Sequence, residues 1–512
     1  MRTSFAAAKS VPAGTAVVAI PVPSEGPVPK EVGLTRAELA AMGFDGKCCT
    51  TLAIAPAPRS KAARVLVGIG APGDVNESTM RNIGAATARA CSKHASMATT
   101  VASAGTGNRR GLTKAFVEGA ALALHRWTDL KKDKSTVAKL TKVTIVSDSA
   151  DTRAGIADGV ATSSAVTMAR DFANMPPSHL TATKFAREAV AIARKSGLRA
   201  TVHDRKQLQQ MGCGGIVGVN AGSVEPPRVV KLVWAPAGAK EKVVLVGKGV
   251  MYDSGGISLK PSDASHASMK MDMSGAAAVL GAMSALKALK VKTHVTAYLM
   301  CTDNLPSGSA MKLGDVLTFR NGKTAEIHNT DAEGRLILAD GLALGAETKP
   351  DAMVDIATLT GACLAALGKK MAGVLGNSQP VVDQLLASSA RTDELLWQLP
   401  LHREYRGLLD SNVADMKNVG GPYGGAITAA LFLDEFTNGV PWAHLDIAGP
   451  MEADADNGWH NRGATAFGTR LLIDFVANFT APKTSSPKKK ATAARSAARK
   501  PAPKKKTASK RK

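Results

Sequence analysis

Apolar positions in this chain fall into two rhythms, short runs of aliphatic residues and longer stretches where small and apolar residues recur at helical spacing. The runs Ala16-Val17-Val18-Ala19-Ile20 and Ala63-Arg64-Val65-Leu66-Val67-Gly68-Ile69 read as strands, and Ser78 to Met97 as a helix. Further on, Val243-Val244-Leu245-Val246 reads as a buried parallel strand giving way to the glycine-rich stretch Gly247-Lys248-Gly249 and Asp253-Ser254-Gly255-Gly256. That reading places Lys248 at a strand end and Asp253 in a loop whose backbone can approach a ligand. Gly275 opens a small-residue helix through Ala276 to Leu280, and Leu336 to Ala343 predicts another. Strands alternating with helices predict an α/β fold. At 512 residues and 45% hydrophobic the chain can bury two cores. The expected organisation is a smaller N-terminal α/β domain over residues 1–160 and a larger C-terminal α/β domain over 165–480, with a mixed central sheet flanked by helices.

The octapeptide Asn329-Thr330-Asp331-Ala332-Glu333-Gly334-Arg335-Leu336 concentrates two acids, a guanidinium and a glycine between apolar runs. In an extended segment those two acids point the same way, and like charges so close repel unless a cation neutralises them. With Lys248, Asp253 and Asp272 they form a candidate metal-ligand set drawn from three segments. Carboxylates with one amine, and no histidine or thiolate, suit hard or borderline divalent ions: zinc, manganese, magnesium or cobalt. Five ligands exceed the needs of one tetrahedral ion, and bridging acids suggest two ions.

The strings GKGVMYDSGG, SLKP, MKMDMSGAA and NTDAEGRL, in this order, closely resemble the cytosol leucyl aminopeptidase family. The likeness continues through Asn174-Met175-Pro176-Pro177, Ala357 to Ala362, Val413 to Gly420 and His444 to Pro450, covering about residues 165 to 480. It implies a dinuclear metallopeptidase that releases leucine-like residues from peptide N-termini. By that resemblance Asp253 and Glu333 bridge both ions, Lys248 and Asp272 complete the tighter site, and Asp331 completes the exchangeable one. Lys260 is implied as the oxyanion stabiliser, and Arg335 as the holder of a bicarbonate acting as general base. Met269, Thr358, Thr360, Gly361 and Ala448 match positions lining the pocket for the first side chain. The resemblance also implies a homohexamer. There are two departures: Met251-Tyr252 stands where Thr-Phe is usual, and the stretch from Lys260 to Asp272 is about one residue longer.

None of the ten histidines forms a recognisable metal spacing. His328 and His444 read as core residues or as supports for the site. The six cysteines lie scattered without a framework, as reduced thiols of a cytoplasmic protein do. The N-terminus has no apolar segment of signal-peptide length, and no run reaches the length of a membrane span. The last thirty residues carry thirteen cations and no acid, so removing them takes the formal charge from +23 to +10. This Lys/Ala/Pro-rich tail, 481–512, is expected to be disordered and to attract phosphate, which opens the alternative of a nucleic-acid-binding protein built on the same scaffold. A catalytically dead structural protein would need a lost ligand, and none is lost.

Overall fold

The computed structural model describes residues 3–58 and 60–482. The basic tail from Lys483 onward lies outside them. The N-terminal region builds a six-stranded sheet from Ser4–Ala8 (β1), Val17–Val22 (β2), Thr51–Ile54 (β3), Ala63–Gly68 (β4), Ser96–Thr99 (β5) and Lys142–Val146 (β6). Its order is β1-β6-β5-β2-β4-β3, parallel except for edge strand β3. The helix expected over 78–97 spans Glu77–Ala90, capped by Asn76, whose side chain accepts the Thr79 N–H. The expectation overran because Ser96–Thr99 pairs with both β2 and β6, a non-local pairing that overrides the local pattern.

The larger region holds an eight-stranded mixed sheet. Its strands are Arg199–His203 (β7), Arg228–Trp234 (β8), Lys242–Asp253 (β9) and His294–Asn304 (β10), followed, beyond the short strands Val316–Thr318 (β11) and Thr324–Glu326 (β12), by Ala352–Ala357 (β13), Ala372–Gly376 (β14) and Leu396–Gln398 (β15). Met416–Lys417 (β16) pairs with β12 outside this sheet, and Trp442–Asp446 (β17) completes it. The order is β15-β14-β17-β13-β9-β10-β8-β7. Strands β17, β13, β9 and β10 run parallel, so their C-terminal ends share one edge.

Strand β9 corrects the reading of Gly247 and Gly249 as loop. The strand runs on to Asp253, which puts Lys248 in mid-strand. The glycines are there because the helix Ser274–Ala285 lies almost on the strand: a Cβ at Gly247 would sit 2.6 Å from the Ala276 Cα. That helix, rich in Ala and Gly, is buried except at half-buried Ser284.

One continuous helix, Ala150–Asn174, joins the two regions, packing Gly159 against Val117 and the Lys114 carbonyl and, further along, Ala165 against Gly281. A buried ionic cluster also ties them. Glu118 Oε2 accepts Arg81 Nε at 3.0 Å and Arg470 Nη1 at 3.3 Å, and Arg81 also pairs with Asp393. Arg470, on the helix Thr469–Asn478, stacks over Trp459 at 4.1 Å.

Candidate metal centre

The parallel strands deliver polar residues to a common edge, the position where open α/β sheets assemble sites. Asp253 ends β9, Asn304 ends β10, Thr358 follows β13 and Asp446 ends β17. Asp272 arrives from the turn before the helix Ser274–Ala285, while Asp331 and Glu333 come from the turn before the helix Gly334–Ala346. That turn is not extended. Asn329 Oδ1 accepts the Asp331 N–H at 2.8 Å and folds the segment back, so the two acids converge through a turn and not through strand alternation.

The five expected ligands are brought together. One carboxylate oxygen each from Asp253, Asp331 and Glu333 lies within 4.8 Å of the others. Lys248 Nζ sits 2.8 Å from Asp272 Oδ1, 2.8 Å from Glu333 Oε1 and 2.9 Å from the Thr358 carbonyl. Lys260 Nζ lies 2.8 Å from Asp253 Oδ2 and 2.6 Å from Asp331 Oδ1. Lys248, Asp253, Asp272 and Glu333 are each at most 4% exposed, whereas the Asp331 side chain keeps 31%. The cluster therefore opens to solvent on the Asp331 side.

Four carboxylates face two ammonium groups and the Arg335 guanidinium. Burial and the neighbouring Asp253 charge raise the Glu333 carboxyl to about 7. Burial likewise pushes Asp272 well above the carboxylate range, against the pull of Lys248, and raises Asp331. Burial opposes the Lys248 charge, yet Asp272, Glu333 and Asp253 together hold its amine above its usual range. Lys260 follows the same pattern, with Asp253 and Asp331 as its acids. Asp272 Oδ2 and Glu333 Oε2 are buried without any hydrogen-bond partner. Buried acceptors left unpaired are costly unless a cation completes them. Such an all-oxygen set with one amine fits hard or borderline divalent ions.

Arg335, in the first turn of its helix, is buried, and burial lowers its guanidinium to about 10. Its Nη1 donates to the Asn418 carbonyl at 2.8 Å, while Nε has no partner. Among the expected pocket residues, Thr358 and Thr360 are buried, Met269 and Ala448 half-buried, and Gly361 exposed with open space where a Cβ would stand. Thr358 also donates to Asp272 Oδ1 at 2.7 Å, so pocket wall and ligand share a hydrogen bond.

Two supports went unnoticed in the sequence. Asn304 Nδ2 donates to Asp253 Oδ1 at 2.8 Å and to the Thr330 carbonyl at 3.0 Å, locking one ligand to the segment that carries two others. Asp446 gathers the N–H groups of Leu359, Thr360 and Ala448 and the Thr360 hydroxyl, and so shapes the pocket wall. The signal for both was position, the last residue of a parallel strand. His444 is buried, with Nδ1 2.6 Å from Asp355 Oδ1, as a support should be. His328 is not. It is exposed, with Nε2 3.1 Å from Glu326 Oε1.

Comparison with known proteins gives a consistent result. The pattern described as "Cytosol aminopeptidase family, catalytic domain" matches residues 167–473, and its "N-terminal domain" counterpart matches residues 32–134. A "Probable cytosol aminopeptidase" of Rippkaea orientalis is 40% identical over 455 residues, covering 88% of this chain and 92% of that one. Another of that name, from Chloroherpeton thalassium, is 44% identical over 368 residues, 70% of this chain and 72% of its own. Among solved structures, "Bottromycin maturation enzyme BotP" superimposes with a TM-score of 0.83 at 35% identity, over 91% of this chain and 99% of that one. The same enzyme described in complex with Mn gives the same values.

Proposed function

We propose, from the premise that this chain belongs to the cytosol aminopeptidase family, that its buried acidic cluster holds two divalent ions and cleaves leucine-like residues from peptide N-termini. The chain is a metal-dependent aminopeptidase, a hydrolase, and the family implies divalent metal. The observation that carries the residue assignment is the convergence of Lys248, Asp253, Asp272, Asp331 and Glu333, with two buried carboxylate oxygens unpaired.

In this reading Asp253 and Glu333 would be shared by the two ions, Lys248 and Asp272 would hold the tighter one, and the more exposed Asp331 would hold the exchangeable one. The ions are zinc or manganese, with magnesium or cobalt as substitutes. When bound, such a pair lowers the pKa of a shared water and polarises a carbonyl. Lys248 ligates only as a free amine, so ion binding there releases its proton. Lys260, at the open side, stabilises the oxyanion that forms as water adds to the carbonyl. Arg335 and the N-terminus of its helix would hold bicarbonate, which would supply a general base there. Met269, Thr358, Thr360, Gly361 and Ala448 form a small apolar pocket for the first side chain.

The division into domains 1–160 and 165–480, assembly as a homohexamer and a cytoplasmic location complete the proposal. The names of the relatives and the exposure of Val413 and Tyr423 support the last two. No helix among the described residues is long and apolar enough to cross a membrane. Nothing in the described residues favours the nucleic-acid alternative.

The test is hydrolysis of leucine amide by the full-length protein, after chelation and readdition of manganese or zinc, with Asp331→Ala alongside. Metal-dependent release of leucine that the variant lacks is the expected result. Silence with every metal, in folded protein, would overturn the reading.

A further inference from the structure

The segment from Pro261 to Ser268, an exposed turn leading into the short helix Ala264–Ser268 capped by Asp263, is suspended between two parts of the site. Lys260 precedes it, its Nζ between Asp253 and Asp331, and half-buried Met269 follows it. Its residues are exposed except for His266 and Ser268, which are half-buried, so no apolar side chain anchors it. The loop is organised mainly by bonds within itself. Asp263 Oδ1 accepts the Ser265 N–H at 2.8 Å and the Ser265 hydroxyl at 2.5 Å, and the Ser268 hydroxyl donates to the Ser265 carbonyl at 2.7 Å.

Apart from the Met269 N–H that donates to the His266 carbonyl, one side-chain hydrogen bond leaves it. The Tyr252 hydroxyl lies 2.5 Å from His266 Nδ1, with ring centroids 5.7 Å apart. Tyr252 is the penultimate residue of β9, one before the ligand Asp253, and belongs to the rigid sheet. Beyond the loop, Lys260 N–H donates to the Ser254 carbonyl at 3.0 Å, and Lys270 Nζ to the Asn174 carbonyl at 3.1 Å. The flanks are thus pinned independently, and residues 261–268 depend on the Tyr252 contact. The two departures from the resemblance, the longer loop and the tyrosine, meet at this bond.

We propose that the Tyr252–His266 hydrogen bond latches segment 261–268 against the sheet beside the metal cluster, and that both are positioning residues which, through the Met269 N–H on the His266 carbonyl, keep Met269 in place for a leucine-like substrate. The proposal rests on the functional reading above. A neutral hydrogen bond shifts a closed–open equilibrium by roughly 2- to 12-fold. Substrate affinity falls in proportion to the closed fraction. The effect should therefore appear mainly in KM.

The experiment compares Tyr252→Phe, His266→Ala, their combination and His266→Gln with wild type in the metal-loaded full-length protein. It reads kcat and KM for leucine amide, bound metal, and hydrogen–deuterium exchange of the peptide spanning 257–271. Each single variant should raise KM by up to roughly 12-fold, with kcat changed less. The double variant should be no worse than a single one. Exchange across the loop should quicken with metal content unchanged, and His266→Gln should recover most of the loss. Unchanged KM and exchange, effects that multiply in the double variant, or metal loss in Tyr252→Phe would overturn the latch. An inactive wild type whose loop exchange still quickens in the variants would overturn the functional reading and keep the latch.

Discussion

The protein buries two ionic clusters, and they are completed differently. At the junction of the two regions Glu118 receives Arg81 and Arg470 on one oxygen and faces Lys114 with the other, while each Glu394 oxygen accepts a backbone N–H, from Gly468 and Leu471. Every carboxylate oxygen of those two acids has a donor or a cation. At the edge of the eight-stranded sheet, Asp272 Oδ2 and Glu333 Oε2 have none. Burial charges both clusters the same desolvation penalty. A cluster closed by protein alone is an element of structure, and one left with spare acceptors is a receptacle for cations. Sheet architecture does not make this distinction, since both regions are α/β sheets with parallel strands at their centre.

Three outcomes would sharpen or break the contrast. The largest effect belongs to Glu333→Ala, which should cost roughly 10³-fold or more in leucine amide hydrolysis, the loss of several kcal/mol of charge stabilisation. The metal-free variant should lose less stability than Glu118→Gln does, because Asp272 stays paired with Lys248 and a buried acid with an unpaired oxygen is shed. A large drop in its melting temperature would make this cluster structural as well. Next comes Glu118→Gln, which leaves Arg81 with Asp393 alone and takes from Arg470 its paired acid, and should destabilise the fold by about 3–5 kcal/mol, read by denaturant melts, while leaving kcat of the folded fraction unchanged.

The smallest effect is one of pH. Burial opposes ionisation of Glu118, yet Lys114, Arg81 and Arg470 outweigh it and hold the carboxyl at about 2, below its ordinary 4.5. The unfolded chain then binds more protons than the folded one between those values. The stabilisation is full above about 4.5 and drains away as pH falls towards 2. Across that window, stability of the wild type should fall more steeply than that of Glu118→Gln, by on the order of 3 kcal/mol in total. Parallel slopes would show that Glu118 does not carry the junction's acid sensitivity.

Much of this was legible in the sequence, and the parts that were not share a cause. The ligands could be read because Asp331 and Glu333 sit in a local string too polar for packing and Lys248 interrupts an apolar run. Their geometry could not, because Gly247 and Gly249 look like loop until the helix Ser274–Ala285 is laid against β9. Ser96–Thr99 looks helical until β2 and β6 flank it. Asn304 and Asp446 carry no local mark at all, since their roles follow from strand register across the sheet. The Tyr252–His266 contact likewise joins residues fourteen apart that no periodicity connects. Short-range pattern reports what a residue is, and only tertiary pairing reports what it faces.

The central claim, that this cluster is a two-ion receptacle, is tested most directly by counting. Mass spectrometry of the intact protein under native conditions, after loading with manganese or zinc and removal of excess, should find two ions per chain in wild type and fewer in Glu333→Ala. Two ions retained in the variant, or a wild type fully active with one, would contradict the account.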